Sequence, residues 1–207
     1  RVLDWSGKPA EEVEVAKRAL HSALRFEQLD LAMNSGARLA VLSSRDLGRP
    51  REGLDYAELI LALAQRPEAD DGQRALAHGM IGLTHARKGD FDIALEHQRR
   101  ELELMSIVFD ADSPEVATTR NDLGTTLHDA GRLEEAQAQH RMALAARTAA
   151  FGPNHPMVAQ SHHNLSVLYR DLADPRSEEH ARKALATLIA AYGPRYARVA
   201  MTQASLG

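Results

Sequence analysis

The chain has no cysteine, and aromatic residues make up only 4% of its 207 residues. The lack of cysteine excludes disulfides, thiol catalysis and thiolate metal sites. With few aromatic side chains, the interior must be filled mainly by alanine and leucine, which are strong helix formers. The composition therefore predicts small helices that approach one another closely, and it agrees with a cytoplasmic protein.

Neither charge sign dominates, because 25 basic and 29 acidic residues give a net charge of −4 and are interleaved along the chain. There is no basic stripe that could follow phosphates, so we do not expect nucleic acid as a direct partner. No apolar run approaches the roughly 20 residues that a membrane-spanning helix needs, and no signal peptide is visible. We therefore expect no membrane insertion.

A block of residues recurs about every 42 positions. Three matching pairs show this spacing: Pro114 and Pro156, Leu123 and Leu165, and Gly89 and Gly131. A fixed period of this size is typical of repeat arrays, in which stacked units present long surfaces. The period therefore favours a binding function over a catalytic one.

Apolar residues recur at helical spacing and strand-like alternation is absent, which predicts an all-α protein. Glycine, proline and capping residues divide this pattern, and Gly89 and Gly131 stand where the first helix of a pair must end. Each repeat is thus expected to be two antiparallel helices with a tight turn. The predicted helices cover residues 9–25, 28–46, 51–65, 73–88, 90–109, 114–129, 133–150, 156–172, 175–191 and 195–206.

The repeated residues resemble a tetratricopeptide (TPR) array of the kinesin-light-chain type. The block that carries the resemblance contains Asn121-Asp-Leu-Gly124, Gly131-Arg-Leu-Glu-Glu-Ala136, Ala143-Leu144 and Phe151-Gly-Pro-Asn-His-Pro156. The resemblance implies an alpha-alpha superhelix, a solenoid of antiparallel helix pairs. We expect degenerate TPR-like pairs over residues 1–72 and a regular 42-residue array over residues 73–207.

Loose repeats ahead of a regular array also resemble the C-terminal regions of large bacterial, particularly myxobacterial, serine/threonine kinases. The chain itself contains no kinase motif, so it is not expected to be an enzyme, and any catalytic activity would lie in sequence outside it. It begins without methionine and stops within a repeat at residues 204–207. These features predict a fragment of a larger signalling protein.

In the family that the chain resembles, the first helix of every pair lines an inner groove. We expect Val116, Leu123, Gly124 and Leu127 to be buried, which leaves the other side of each first helix for a protein or peptide ligand. Asn121 and Asn164 correspond to asparagines that such arrays use against a peptide backbone, since an amide both donates and accepts. The predicted groove residues are Arg87, Thr118, Asn121, Asp122, Thr125, His128, Asp129, Gln160, His163, Asn164, Val167, Arg170 and Asp171.

The alternative is a structural spacer or a homo-oligomerisation arm with no groove ligand. An array end without a capping helix exposes apolar surface, so we also expect self-association through the truncated ends. The fourth pair lacks one residue between Ala173 and Arg176, and Ala173 replaces its turn glycine, so we expect a turn of different shape there.

The chain has ten histidines, but their spacing does not predict a metal site. His162 and His163 are adjacent and point in different directions on a helix, and His78 and His85 lack helical partners three or four residues away. His155 is expected to cap or pack in a link between pairs. We predict no metal, no other cofactor and no catalytic residue.

Overall fold

The computed structural model describes residues 9–193, with side chains over 11–44 and 47–193. It confirms the all-helical fold, and no strand lies in the described residues. The predicted helix at 195–206 falls outside them. The helices are α1 Pro9–Arg25, α2 Leu29–Val41, α3 Pro50–Ala64, α4 Asp71–Lys88, α5 Phe91–Val108, α6 Pro114–Asp129, α7 Leu133–Phe151, α8 Pro156–Asp171 and α9 Arg176–Tyr192.

The largest departure from the predicted helices is at the end of α2. The predicted helix over 28–46 ends as an α-helix at Val41 and continues as one π-helical turn, Leu42–Asp46. The N–H of Leu47 donates to the carbonyl of Leu42, five residues earlier, at 3.0 Å. This longer hydrogen-bond spacing widens the last turn before the helix stops ahead of Pro50.

The chain divides into two compact units, one over residues 1–108 and the other over residues 109–207. The first unit contains α1 to α5, with a core that includes Met33, Leu39 and Ile60. The second contains α6 to α9, with Leu165 and Leu168 fully buried. In the second unit the predicted buried face of α6 is confirmed: Val116, Leu123, Gly124 and Leu127 are all buried.

The turns within the helix pairs use a left-handed residue after the first helix. Gly89 and Gly131 have φ angles of 83° and 75°, and Ala173 has a φ of 52°. At all three turns the following N–H donates to the carbonyl five residues earlier, at 2.8 to 3.0 Å. The first helix therefore ends in the same way at Ala173 as at the glycines. The start of the second helix differs, as predicted: the N-cap of α9 is Pro175 at φ −62° and ψ −17°, whereas the N-cap of α7 is Arg132 at φ −88° and ψ 63°. The hydrogen bond fixes the turn, and alanine accepts the conformation that glycine adopts more easily.

The links between helix pairs end in caps that match the sequence pattern. The Ser113 hydroxyl accepts from the N–H of Val116 at 3.2 Å, and the Nδ1 of His155 accepts from the N–H of Met157 at 3.2 Å. His155 also stacks on Phe151, with ring centroids 4.4 Å apart. His155 thus both caps α8 and packs in the link. Each of the two caps satisfies a backbone N–H at the helix start that has no partner within the helix.

Candidate peptide-binding face

Helices α6 and α8 are consecutive first helices of the second unit, and they contact each other directly. Helix α7 packs against both of them, and α9 packs against α8. The accessible side chains on the predicted ligand side of α6 and α8 form what we call the α6–α8 face. Its members are exposed or half-exposed: Thr118, Asp122, Thr125, His128, Asp129, Gln160, His163, Asn164, Val167, Arg170 and Asp171.

Asn121 does not belong to this face, which corrects the sequence prediction. Its side chain is only 3% exposed. Its Oδ1 accepts from the Nδ2 of Asn164 at 2.9 Å and from Arg147 at 3.4 Å, while its own Nδ2 donates to Asp122 at 3.3 Å. The Asn121 amide is therefore used inside the unit, since the packing of α6 on α8 brings two equivalent asparagines together. Asn164 remains half-exposed.

A buried arginine of α7 lies behind this amide pair. Arg147 is 1% exposed. It donates to the Ser161 hydroxyl at 2.9 Å and, at 3.4 to 3.5 Å, to the Met157 carbonyl, Asn121 and Thr118. None of these four acceptors is a carboxylate, and the Nε of Arg147 has no acceptor in the described part of the chain. The α6–α8 face thus has a buried cation held by neutral groups.

Desolvation changes the acidity of the charged groups around this arginine. Burial lowers the pKa of Arg147, and the nearby charge of Asp122 opposes that shift. The Asp122 side chain touches solvent, but the protein around its carboxylate still raises its pKa. The hydrogen bond from Asn121 and the charge of Arg147 act in the opposite direction. The two groups are therefore electrostatically coupled without a direct ion pair between them.

A second contact joins α6 to α8 nearer their C-terminal ends. The Nε2 of His128 lies 2.8 Å from the Oδ2 of Asp171, and the Nε of Arg170 lies 3.4 Å from the other oxygen of that carboxylate. All three residues were predicted for the groove, and the structure brings them together. This contact places a carboxylate, a guanidinium and an imidazole together at one end of the face.

The most unusual residue of this region, the buried Arg147, was not predicted from the sequence. Arg147 lies on a second helix, 26 positions after Asn121, so no pattern within a first helix points to it. The available signal was an arginine among small residues in Ala145-Ala-Arg-Thr148. Arg87, which was predicted for the groove, is exposed on α4 in the unit of residues 1–108.

The model of the tetratricopeptide repeat family matches residues 73–149 and 115–186, which together are more than half of the chain. The chain belongs to the tetratricopeptide repeat family. Tetratricopeptide repeats are typically non-catalytic scaffolds that mediate protein–protein interaction, and no enzyme family is indicated for this one.

Solved structures of other proteins share this fold. BtubC (BKLC) from P. vanneervenii superimposes with a TM-score of 0.82, covering 97% of this chain and 82% of that one at 21% identity. A putative kinesin light chain of Podosopora anserina, with nearly identical TPR-like repeats, gives a TM-score of 0.65 over 90% of this chain and 99% of that one at 15% identity. The predicted kinesin-light-chain-like tetratricopeptide solenoid is therefore confirmed as a fold.

Among sequence relatives, the clustered mitochondria protein homolog of Homo sapiens is 36% identical over 132 residues. The matched region is 63% of this chain and 10% of that protein. The chain thus spans about a tenth of the length of this relative. The similarity is confined to a small part of a much longer protein.

Neither metal coordination by a cluster nor membrane insertion has support in the described tetratricopeptide helices. The described side chains, those of residues 11–44 and 47–193, include no group of three or more histidine, aspartate or glutamate residues placed to hold a metal ion. Over the same residues, every helix is too short or too polar to cross a bilayer.

Proposed function

We propose that this tetratricopeptide chain binds an extended segment of a protein partner along the α6–α8 face, as the interaction or regulatory module of a larger signalling protein. The observation that carries the proposal is the buried Arg147 beneath this face. Burying a cation costs several kcal/mol unless other groups compensate it. Strongly perturbed charged groups of this kind cluster at functional sites.

The surroundings of Arg147 support a ligand that brings negative charge. Its acceptors Ser161, Asn121 and Thr118 are all neutral, and Thr118 is exposed on the α6–α8 face. A ligand carboxylate near Thr118 would stabilise the charged form of Arg147. The attraction would be stronger than in water, because protein between two charges screens them less than solvent does. We therefore expect the partner segment to contain at least one acidic residue.

A matched pair of double variants tests where the ligand binds. Thr125 and Val167 occupy equivalent positions on α6 and α8, and Ala149 and Ala190 are exposed at equivalent positions on α7 and α9. Peptides would be selected from a displayed random library on the wild-type chain, and their Kd values measured by fluorescence anisotropy. Thr125→Trp/Val167→Trp should weaken binding by about tenfold or more, whereas Ala149→Trp/Ala190→Trp should leave Kd unchanged.

Equal binding by both double variants would place the ligand elsewhere on the chain. Failure to select any peptide would favour the alternative function, a spacer or homo-oligomerisation arm. Circular dichroism of each variant is the control for folding. Asn121→Ala/Asn164→Ala is a poor test, because it removes the amide that accepts from Arg147 and so perturbs stability together with binding.

Attachment to a serine/threonine kinase and a cytoplasmic location remain part of the proposal. The kinase attachment is supported by the arrangement of loose repeats ahead of the regular array that the family model matches from residue 73 onward. The cytoplasmic location is supported by the composition, which has no cysteine. The coding sequence on both sides of the region that encodes this chain tests whether a kinase domain is attached. A glycine-rich nucleotide loop with a catalytic-loop aspartate would support it, and an unrelated domain in that place would overturn it.

A further inference from the structure

Two pairs of histidines join the first and second helices of their repeats. In the unit of residues 1–108, the Nδ1 of His78 on α4 lies 3.1 Å from the Nδ1 of His97 on α5. In the unit of residues 109–207, the Nδ1 of His162 on α8 lies 2.9 Å from the Nδ1 of His180 on α9. Because the partner of each first-helix histidine comes from the second helix, spacing within one helix could not reveal either pair.

The two pairs occupy the same place in the repeat. His162 lies two periods after His78 in the sequence. In the repeat between them the corresponding residues are Arg120 and Gln139, and the guanidinium of Arg120 donates to the Gln139 amide at 3.3 Å. The middle repeat thus keeps a polar contact at this place without any imidazole. It supplies an internal control for whatever the histidine pairs do.

The four imidazoles present unprotonated nitrogens at neutral pH. Burial lowers the pKa of His78, His97, His162 and His180, that of His162 to about 4. In each neutral pair one Nδ1–H donates to the other Nδ1, so only one proton lies between two nitrogens that could both act as ligands. Neutral imidazole is a common ligand for transition metals.

Charged groups around both pairs are balanced. Glu96 faces the first pair, together with Arg100 and His85, which are themselves paired with Glu103 at 2.8 Å and Asp90 at 3.0 Å. The groups facing the second pair are Glu179, Lys183, Asp174 and Arg176; Lys183 contacts Glu179 and Arg176 contacts Asp174, each at 2.6 Å. Arg100, Lys183 and Arg176 each have a carboxylate partner that offsets their charge.

The nitrogen separations match the distance between neighbouring ligands of one metal ion. With metal–nitrogen bonds of about 2.05 Å, two ligands are about 2.9 Å apart at a 90° angle and about 3.3 Å apart at the tetrahedral angle. The observed 2.9 and 3.1 Å lie at and just above the first value. Right-angled positions are those of square-planar and tetragonal copper(II) and nickel(II).

We propose that each histidine pair is a two-ligand site for a divalent first-row transition metal, with copper(II) and nickel(II) favoured. Binding replaces one N–H···N hydrogen bond by two metal–nitrogen bonds, and the donating ring shifts its proton to Nε2, so no proton is lost and no electron is transferred. Two metal-bound waters leave, and water keeps the remaining positions, since the described residues contain no third protein ligand at either pair. A bound ion would cross-link the two helices of the repeat.

Titration of the full chain with nickel(II) by calorimetry, and with copper(II) by electron paramagnetic resonance, tests the proposal. The wild type should bind about two equivalents, and the copper spectrum should show nitrogen ligands. His97→Gln and His162→Gln should each lose one equivalent, and the double variant should lose both. His21→Gln, which changes an exposed histidine of α1, should bind like the wild type.

A variant that gains a metal site tests the proposal without depending on a loss that misfolding could also cause. Arg120→His/Gln139→His places an imidazole pair in the middle repeat, and the chain should then bind about three equivalents. The proposal is overturned if His97→Gln/His162→Gln retains the wild-type stoichiometry, or if the wild type binds no more metal than that variant. A melting temperature that rises with nickel in the wild type, and not in the double variant, would support the cross-link.

Discussion

The hairpins α6/α7 and α8/α9 have the same fold but fill their interfaces differently. At Gly124 an added Cβ would lie 2.9 Å from the buried ring of His140. The equivalent positions in α8/α9 hold Ser166 and Ala181, which are also buried. In α6/α7 the absent side chain of Gly124 leaves room for the His140 ring, whereas two small side chains occupy the equivalent positions in α8/α9. The two hairpins thus pack the same place with different residue types.

The same two hairpins also differ in the polarity of their cores. Arg147 of α7 corresponds to Leu188 of α9, and both are buried. Leu188 packs in an apolar cluster with Ala159, whereas Arg147 is held by Ser161 and Asn121. Because the fold accommodates leucine at this position, packing alone does not require the arginine of α7. The buried arginine therefore distinguishes the α6/α7 hairpin and supports the proposed ligand on the α6–α8 face.

The largest effect is expected from exchanging the packed pair between the hairpins. Gly124→Ser should destabilise the chain by about 2 kcal/mol through the clash with His140, and His140→Ala by about 2 to 4 kcal/mol through the cavity it leaves. Gly124→Ser/His140→Ala copies the Ser166 and Ala181 pair and should cost clearly less than the sum. Urea unfolding of the four proteins measures the coupling.

The control for this cycle is Thr125→Ser, which makes a small change beside Gly124 on the exposed side of α6 and should leave stability nearly unchanged. Additive costs for the Gly124 and His140 changes would show that the two residues do not share the interface as the distance indicates.

An effect smaller than the two substitution costs taken together should appear on acidification. Burial lowers the pKa of His140 to about 4, from the ordinary value of about 6.5. Between these values the unfolded chain binds the proton and the folded chain does not, so stability is greatest above about pH 6.5 and falls as the pH drops towards 4. The loss from this group is about 3 kcal/mol.

His140→Gln should flatten this part of the pH profile, because it copies Gln98, which is buried beside Gly82 in α4/α5 and does not titrate. Free energies of unfolding in urea from pH 4 to 7 provide the measurement. Other buried histidines leave a residual slope. A profile identical to that of the wild type would mean that His140 does not hold its neutral form in the folded state.

The smallest effect concerns the two turns. Ala173 has a φ of 52°, in the left-handed region that costs a side chain about 1 kcal/mol, and Gly131 has a φ of 75°. Ala173→Gly should therefore stabilise the chain by up to about 1 kcal/mol, and Gly131→Ala should destabilise it by a similar amount. Thermal melting distinguishes the two directions, and shifts of the same sign would contradict this account.

The 42-residue period, the proline starts and the glycine turns were sufficient to predict the helix pairs, because these signals are local in the sequence. Contacts between helices were not predictable in the same way. The burial of Asn121 depends on Arg147 and Asn164, and each histidine pair depends on a partner 18 or 19 residues away. A single sequence indicates which residues lie on each face of a helix, but it does not indicate which residues of the neighbouring helix contact them.

Helices α6 and α8 are tied together at two points, by Asn121 with Asn164 and by His128 with Asp171. Both contacts join residues 43 positions apart, and along α6 they are separated by seven residues, about 10 Å. A single contact would fix only the distance between the helices, whereas two contacts also fix the angle between them. The two contacts therefore hold α6 and α8 at a set spacing, and loss of the His128 side chain would remove one of them.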